Sequence, residues 1–160
     1  MDSKILKCPI CGASELAKKV VHNYEYRTPM GIITIEGDVK FDACSHCKEV
    51  FIPGELINSW NLQILGQLSN RPAILTSDEL KFVFSILPYS QTEIAEATGK
   101  VRSTLTKYKT GENPIDRLFD DTLKSIVFDF LKGKRTTLDR LNSRAQFVPI
   151  GESIKSLKTG

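Results

Sequence analysis

The chain has 160 residues, enough for one domain or two small ones, with 41% hydrophobic and 26% charged residues, both close to the averages of soluble globular proteins. This excludes a collagen-like, low-complexity or wholly disordered chain, and no apolar run approaches the ~20 residues of a membrane-spanning helix. The net charge of +3 is unevenly spread: residues 132–160 carry net +5, whereas 1–70 and 71–131 each carry net −1.

Residues 1–11 contain Asp2 and two lysines but no apolar core of the secretory kind, so a cytoplasmic location is expected. Two C-x-x-C pairs follow, Cys8-Pro9-Ile10-Cys11 and Cys44-Ser45-His46-Cys47, with 32 residues between them. Two residues between cysteines let the chain turn tightly, so that both sulfurs face one point. Gly12 suits such a turn because glycine accepts positive φ. Four thiolates at tetrahedral corners, about 2.3 Å from the metal, suit a structural Zn2+ and leave no position open for a catalytic water. Two disulfides do not fit a reducing compartment, and one redox C-x-x-C does not explain two pairs. An iron–sulfur cluster also uses four cysteines. His46, between two ligands, is expected at the surface. The metal is expected to stabilise a fold too small to stand alone.

Between the pairs, residues 18–26 and 31–41 are rich in β-branched and aromatic side chains, and Thr28-Pro29-Met30-Gly31 punctuates them as a hairpin connection does. This predicts a zinc-ribbon domain over residues 1–53, a small sheet with a knuckle at one end. His22 reads as structural. Residues 55–68 place Leu56, Ile57, Trp60, Ile64, Leu65 and Leu68 at helical period. Gly66 and Asn70-Arg71-Pro72 are expected to interrupt or stop that helix, making 54–76 a bridging helix and linker. Trp60 reads as core or domain packing, with a partner anchor as the alternative.

Residues 77–132 read as helical. Thr76-Ser77-Asp78-Glu79 opens a first helix, with Leu80, Phe84 and Leu87 on one face, and Pro88 closes it. Ser90 with Glu93 forms a capping-box pattern for a second helix, which carries Ile94, Ala95 and Ala97 and ends at Gly99. A third runs from about Val101 to Thr110. Gly111 ends it, and Pro114 prevents its resumption. A last helix over about 120–132 presents Leu123, Ile126, Val127, Phe130 and Leu131.

The short helix, tight turn and short helix around Ala95 and Gly99 form a helix-turn-helix pattern. On the third helix Arg102, Ser103, Thr104, Thr106, Lys107 and Lys109 are expected to be exposed, as donors for phosphates and base edges, and no acid lies between residues 98 and 109. A helical bundle with a solvated basic face is the alternative. The expected fold class is α+β, a small β-rich zinc ribbon followed by an all-α helix-turn-helix domain. Residues 133–160 form a basic tail. Its Lys134, Arg135, Arg140 and Arg144 either lie along phosphates or belong to a solvated end, while Phe147, Val148, Pro149 and Ile150 are apolar enough to dock. No enzyme is expected: there are two histidines, no phosphate-cradling glycine loop and no open metal site, and Glu93, Glu96 and Asp116 have no evident catalytic partners.

The segment from Ser90 to Pro114 resembles the helix-turn-helix of Xre/Cro repressors at Ser90-Gln91, Ile94-Ala95, Gly99, Ser103, Leu105, Tyr108, Gly111 and Pro114. It departs from them where Lys109 follows Tyr108 in place of glutamate, and where the turn reads Gly99-Lys100-Val101-Arg102. A CPICG knuckle, about 30 residues between cysteine pairs, a bridge and then this helical segment together resemble the MqsA-like antitoxins over roughly residues 5–131. The resemblance implies a zinc-binding domain that contacts a cognate toxin, usually an RNA-cleaving one. It implies a helix-turn-helix domain that forms a homodimer through its final helix and binds a palindrome in its own operon, repressing it. Ser103 and Lys107 would read bases and Gln91 would contact a phosphate. Arg102, Thr104, Thr106 and Lys109 join them on exposure and charge. A stand-alone Xre-family regulator with a structural ribbon is a second expectation, and an adaptor without a DNA role a third.

Overall fold

The computed structural model describes residues 7–146. Among these residues the architecture is α+β, a three-stranded antiparallel sheet followed by six helices. The chain divides into two compact units, Met1–Leu65 and Gly66–Gly160. The division falls inside the segment 54–76 that reads as a bridge. No helix among the described residues is long and apolar enough to cross a membrane.

In the first unit, β1 (Leu16–Thr28) and β2 (Gly31–Cys44) make a long hairpin, and β3 (Val50–Phe51) pairs with the end of β2. Thr28 faces Gly31, so Pro29 and Met30 alone turn the chain; Gly31 takes φ +107°. The two strands account for the 32-residue spacing of the cysteine pairs, because they carry the chain out and back until Cys44 lies opposite Leu16.

A bulge corrects the side-chain parity of β1. Strict alternation from Val21 would point Asn23 and Glu25 inward. Instead His22 faces Asp38 while Tyr24 faces Ile35, and Asn23 stands unpaired at φ +58°, its Oδ1 accepting the Gly37 N–H at 3.2 Å. The register shift sets one residue of β1, Asn23, against two of β2, Glu36 and Gly37, and beyond it Tyr24 and Tyr26 lie on the same side as Val21. There they pack with Val39, Phe41 and Ala43 against Leu56, Ile57 and Trp60 of α1 (Gly54–Asn70). Trp60 is buried, stacks on Tyr24 with centroids 5.8 Å apart and planes inclined by 27°, and meets Tyr26 at 5.3 Å. It is a core residue of this unit.

The second unit contains α2 (Ser77–Ile86), α3 (Gln91–Thr98), α4 (Arg102–Thr110), α5 (Arg117–Leu131) and α6 (Thr136–Gln146). Thr76 with Glu79 and Ser90 with Glu93 form the capping boxes that open α2 and α3. Gly99 (φ +65°) and Gly111 (φ +79°) end α3 and α4 in left-handed conformation, which glycine adopts without strain. Leu80, Val83, Ile94, Leu105, Phe119, Leu123 and Ile126 form the core of the unit, each apolar side chain contributing roughly 1.5–3 kcal/mol by leaving water.

Three features differ from the sequence reading. The α1 helix continues through Gly66 to Asn70; a Cβ at Gly66 would meet the Leu131 Cδ1 at 3.9 Å, an ordinary contact. The α5 helix begins at Arg117 rather than near Asp120, because Asp116 caps it by accepting the Phe119 N–H at 2.9 Å. Within 133–160, Thr136–Gln146 is helical and packs on α3 and α5, with Leu138 buried. Arg135 is engaged at the surface of this unit: it donates to Asp139 at 3.0 Å and to Glu93 at 3.1 Å and stacks 5.0 Å from the Tyr89 ring. The Arg144 side chain and the apolar run 147–150 lie outside the described residues.

Candidate functional site

The two cysteine pairs adopt the same backbone geometry. In the first, Gly12 N–H donates to Cys8 O at 2.9 Å and Cys8 N–H to Ala13 O at 2.8 Å. In the second, Lys48 N–H donates to Cys44 O at 3.0 Å and Cys44 N–H to Glu49 O at 2.8 Å. The residue after each second cysteine is left-handed, Gly12 at φ +74° and Lys48 at φ +64°. Each knuckle thus folds back on its first cysteine and turns both sulfurs to one side. The hairpin then brings the two knuckles together.

All four Sγ atoms lie within 4.8 Å of one another, with Cys8 to Cys47 at 3.6 Å and Cys11 to Cys44 at 3.5 Å. A disulfide needs about 2.05 Å, so these are free thiols. A tetrahedral ion with bonds of about 2.3 Å places its sulfurs about 3.8 Å apart. The cluster therefore fits a metal ion, and its soft donors select metals that favour thiolate. Cys8 and Cys44 are buried, whereas Cys11 is exposed. The Cys47 N–H, 3.5 Å from the Cys44 sulfur, is the main group holding the Cys44 thiol down at about 6 against its desolvation. For Cys47 the Glu49 amide acts in the lowering direction, but desolvation and the neighbouring Cys44, Cys8 and Cys11 sulfurs outweigh it and push the thiol up to about 12. Crowded thiolates repel, and a cation among them removes that repulsion. His46 is exposed, and His22 on the outer sheet face bonds Asp38 at 3.0 Å.

The α4 helix carries the second candidate surface. Leu105 and Tyr108 are buried and anchor one side. Arg102, Ser103, Thr106 and Lys107 are exposed, the pairs 102/106 and 103/107 standing one turn apart. The Thr106 hydroxyl donates to Arg102 O at 3.1 Å. Thr104, Lys109 and Gln91 are half-buried, and the Lys109 ammonium lies 5.8 Å from the Phe84 ring centroid. Among the described residues, Arg102 and Lys107 form no ion pair. This face offers cationic and hydroxyl donors and carries no acid of its own, a chemistry that suits an anionic partner.

Lys100, which belongs to the same acid-free window of sequence, is held elsewhere: its Nζ lies 2.7 Å from Asp116 Oδ2. Sequence reasoning passed over two contributors to these sites. Lys48 stands where Gly12 stands in the first knuckle, a position the repeated spacing could have marked. Asp116 precedes a helix, where aspartate is a preferred cap. Comparison of the chain with protein families, with curated proteins and with solved structures finds no match.

Proposed function

We propose that this chain is a DNA-binding antitoxin: the helical unit binds double-stranded operator DNA through α4, and the N-terminal unit is a zinc ribbon that engages a cognate toxin. The observation that carries the DNA reading is the acid-free exposed face of Arg102, Ser103, Thr106 and Lys107 on a short helix entered by a three-residue turn. In a major groove, Lys107 and Arg102 would donate to guanine O6 and N7, and the Ser103 hydroxyl would donate or accept at a base edge. Gln91, opening α3, would meet a phosphate, and Thr104 and Lys109 would lie at the margin of the face. A homodimer would set two α4 helices about 34 Å apart on a palindrome, and binding there represses the operon.

Cys8, Cys11, Cys44 and Cys47 would hold the Zn2+. With four protein ligands the ion supplies folding energy rather than catalysis. The toxin assignment rests on the order of the parts, knuckled sheet before helix-turn-helix, which resembles the MqsA-like antitoxins.

Co-expression with the adjacent reading frame, followed by pull-down on this chain, tests the toxin half. A co-purifying neighbour that is lethal when expressed alone supports it. A harmless neighbour that does not co-purify removes it and leaves a stand-alone zinc-stabilised regulator. A gel shift at fixed salt with the chain's own upstream region tests the DNA half. Lys107→Ala should weaken binding by about tenfold with helical content unchanged, and an unchanged affinity removes the role given to Lys107.

A further inference from the structure

We propose that Asp116 is a positioning residue for α4: one carboxylate ties down both ends of that helix and withholds Lys100 from any anionic partner. The inference rests on the DNA reading for its consequence but not for its geometry. Asp116 Oδ2 pairs with Lys100 Nζ at 2.7 Å and accepts the Tyr108 hydroxyl, while Oδ1 accepts the Phe119 N–H at 2.9 Å. Lys100 lies in the turn that enters α4, Tyr108 in its last turn, and Asp116 at the cap of α5. The turn is fixed on its other side too, because Lys100 N–H donates to Ala95 O of α3 at 2.9 Å. The Tyr108 ring packs 5.1 Å from Phe119, in the first turn of α5. Entry and exit of α4 are therefore both referred to the start of α5, and the face between them can neither swing nor roll without breaking a charged contact.

The Lys100 side chain is 28% exposed and that of Asp116 39%, so the pair sits at the margin of the exposed face rather than in the core. Sequence specificity needs base-reading groups held at fixed positions, whereas attraction to phosphates needs only charge. Asp116 serves the first at the expense of the second. It restrains α4, and it neutralises a lysine that would otherwise add sequence-independent affinity.

The test uses the full zinc-loaded chain and two variants. Asp116→Asn keeps an oxygen able to cap Phe119 but cannot pair with Lys100. Lys100→Met removes the pair while leaving the Asp116 cap and the Tyr108 bond. The first readout is amide hydrogen exchange. Amides of residues 100–110 should exchange about tenfold faster in Asp116→Asn, and faster to a lesser degree in Lys100→Met, with α5 and α6 unchanged. The second readout compares a duplex selected by the wild-type chain from a random pool with a scrambled duplex across a salt series. Discrimination should fall by about tenfold in Asp116→Asn, the equivalent of one well-made base contact. Its salt slope on scrambled DNA should steepen by about one unit as Lys100 is released, and that of Lys100→Met should not.

Equal exchange over 100–110 in all three proteins, or equally faster exchange in every helix, overturns the positioning role. Exchange that rises only in 100–110 while discrimination stays intact overturns its link to specificity. A wild-type chain without salt-sensitive affinity for either duplex overturns the DNA reading itself, and the exchange result then decides the positioning role alone.

Discussion

Asp120 is buried to 1% exposure, yet its carboxylate accepts the Leu75 N–H at 2.9 Å and pairs with Lys124 Nζ at 2.6 Å. Lys124 in turn donates to Arg71 O at 2.9 Å and Ala73 O at 2.7 Å. One turn of α5 thereby fastens the segment that leads from α1 into α2. Removing one member of a buried pair strands the other, so Asp120→Ala should lower the stability of the helical unit by about 3–5 kcal/mol in denaturant unfolding. An effect no larger than that of an exposed ion pair would show that Lys124 finds water instead. Asp116 contributes in a pH-dependent way. Lys100 first, then Tyr108 and the Phe119 amide, hold its carboxyl at about 2, below the ordinary 3.8. A lowered native pKa adds stability that is complete above about pH 4 and is lost as pH falls towards 2. The gap in unfolding midpoint between wild type and Asp116→Asn should therefore close over that interval, and a gap constant with pH would rule the ionised carboxyl out as its source. The Phe119 cap of Asp116 and the Lys124 partner of Asp120 lie within one turn and are legible in the sequence, whereas Lys100 and Leu75 are brought to these carboxylates by the fold.

The two knuckles share one hydrogen-bond pattern but not one residue at the left-handed position. Gly12 adopts φ +74° freely, and nothing lies within 4 Å of where a Cβ would stand; Gly12→Ala should cost about 1–2 kcal/mol through the backbone alone. Lys48 bears that strain already, at φ +64°, so Lys48→Gly should change stability little or raise it, the relief offset by the greater freedom of glycine when unfolded. Competition for Zn2+ against a chelator of known affinity reads both, at about tenfold per 1.4 kcal/mol. The opposite ranking would mean that the sulfurs, not the turns, limit binding. Among the helices, caps and glycines were readable because they act locally: Ser90 with Glu93 and the stop at Gly99 need nothing beyond their neighbours in sequence. The α6 helix was not readable. It carries few apolar residues, Leu138 and Leu141 among polar ones, and it is held by Arg135 reaching Glu93 of α3 and by the Thr137 N–H donating to Asp129 of α5 at 2.7 Å.

At the scale of the whole chain, the units Met1–Leu65 and Gly66–Gly160 depend on different forces. The first has a small aromatic core and the thiol cluster, whereas the second has a larger apolar core of its own. Once the four thiols are loaded with a metal, its chelation should therefore unfold the sheet unit and leave a cooperative helical transition, followed by circular dichroism on heating. A single transition lost at once would mean that neither unit folds alone. The thiol quartet, the hairpin, the helices from α1 to α5 and most of their ends were legible in the chain alone, since side-chain chemistry, hydrophobic period and capping act over a few residues. The fold alone revealed that the register shift at Asn23 resets the face of β1, that Arg135 and Lys100 are held in ion pairs while Arg102 and Lys107 stay open, and that Asp116 joins the two ends of α4. Those outcomes depend on groups far apart along the chain, and a charge read in one dimension does not reveal whether an opposite charge will stand beside it.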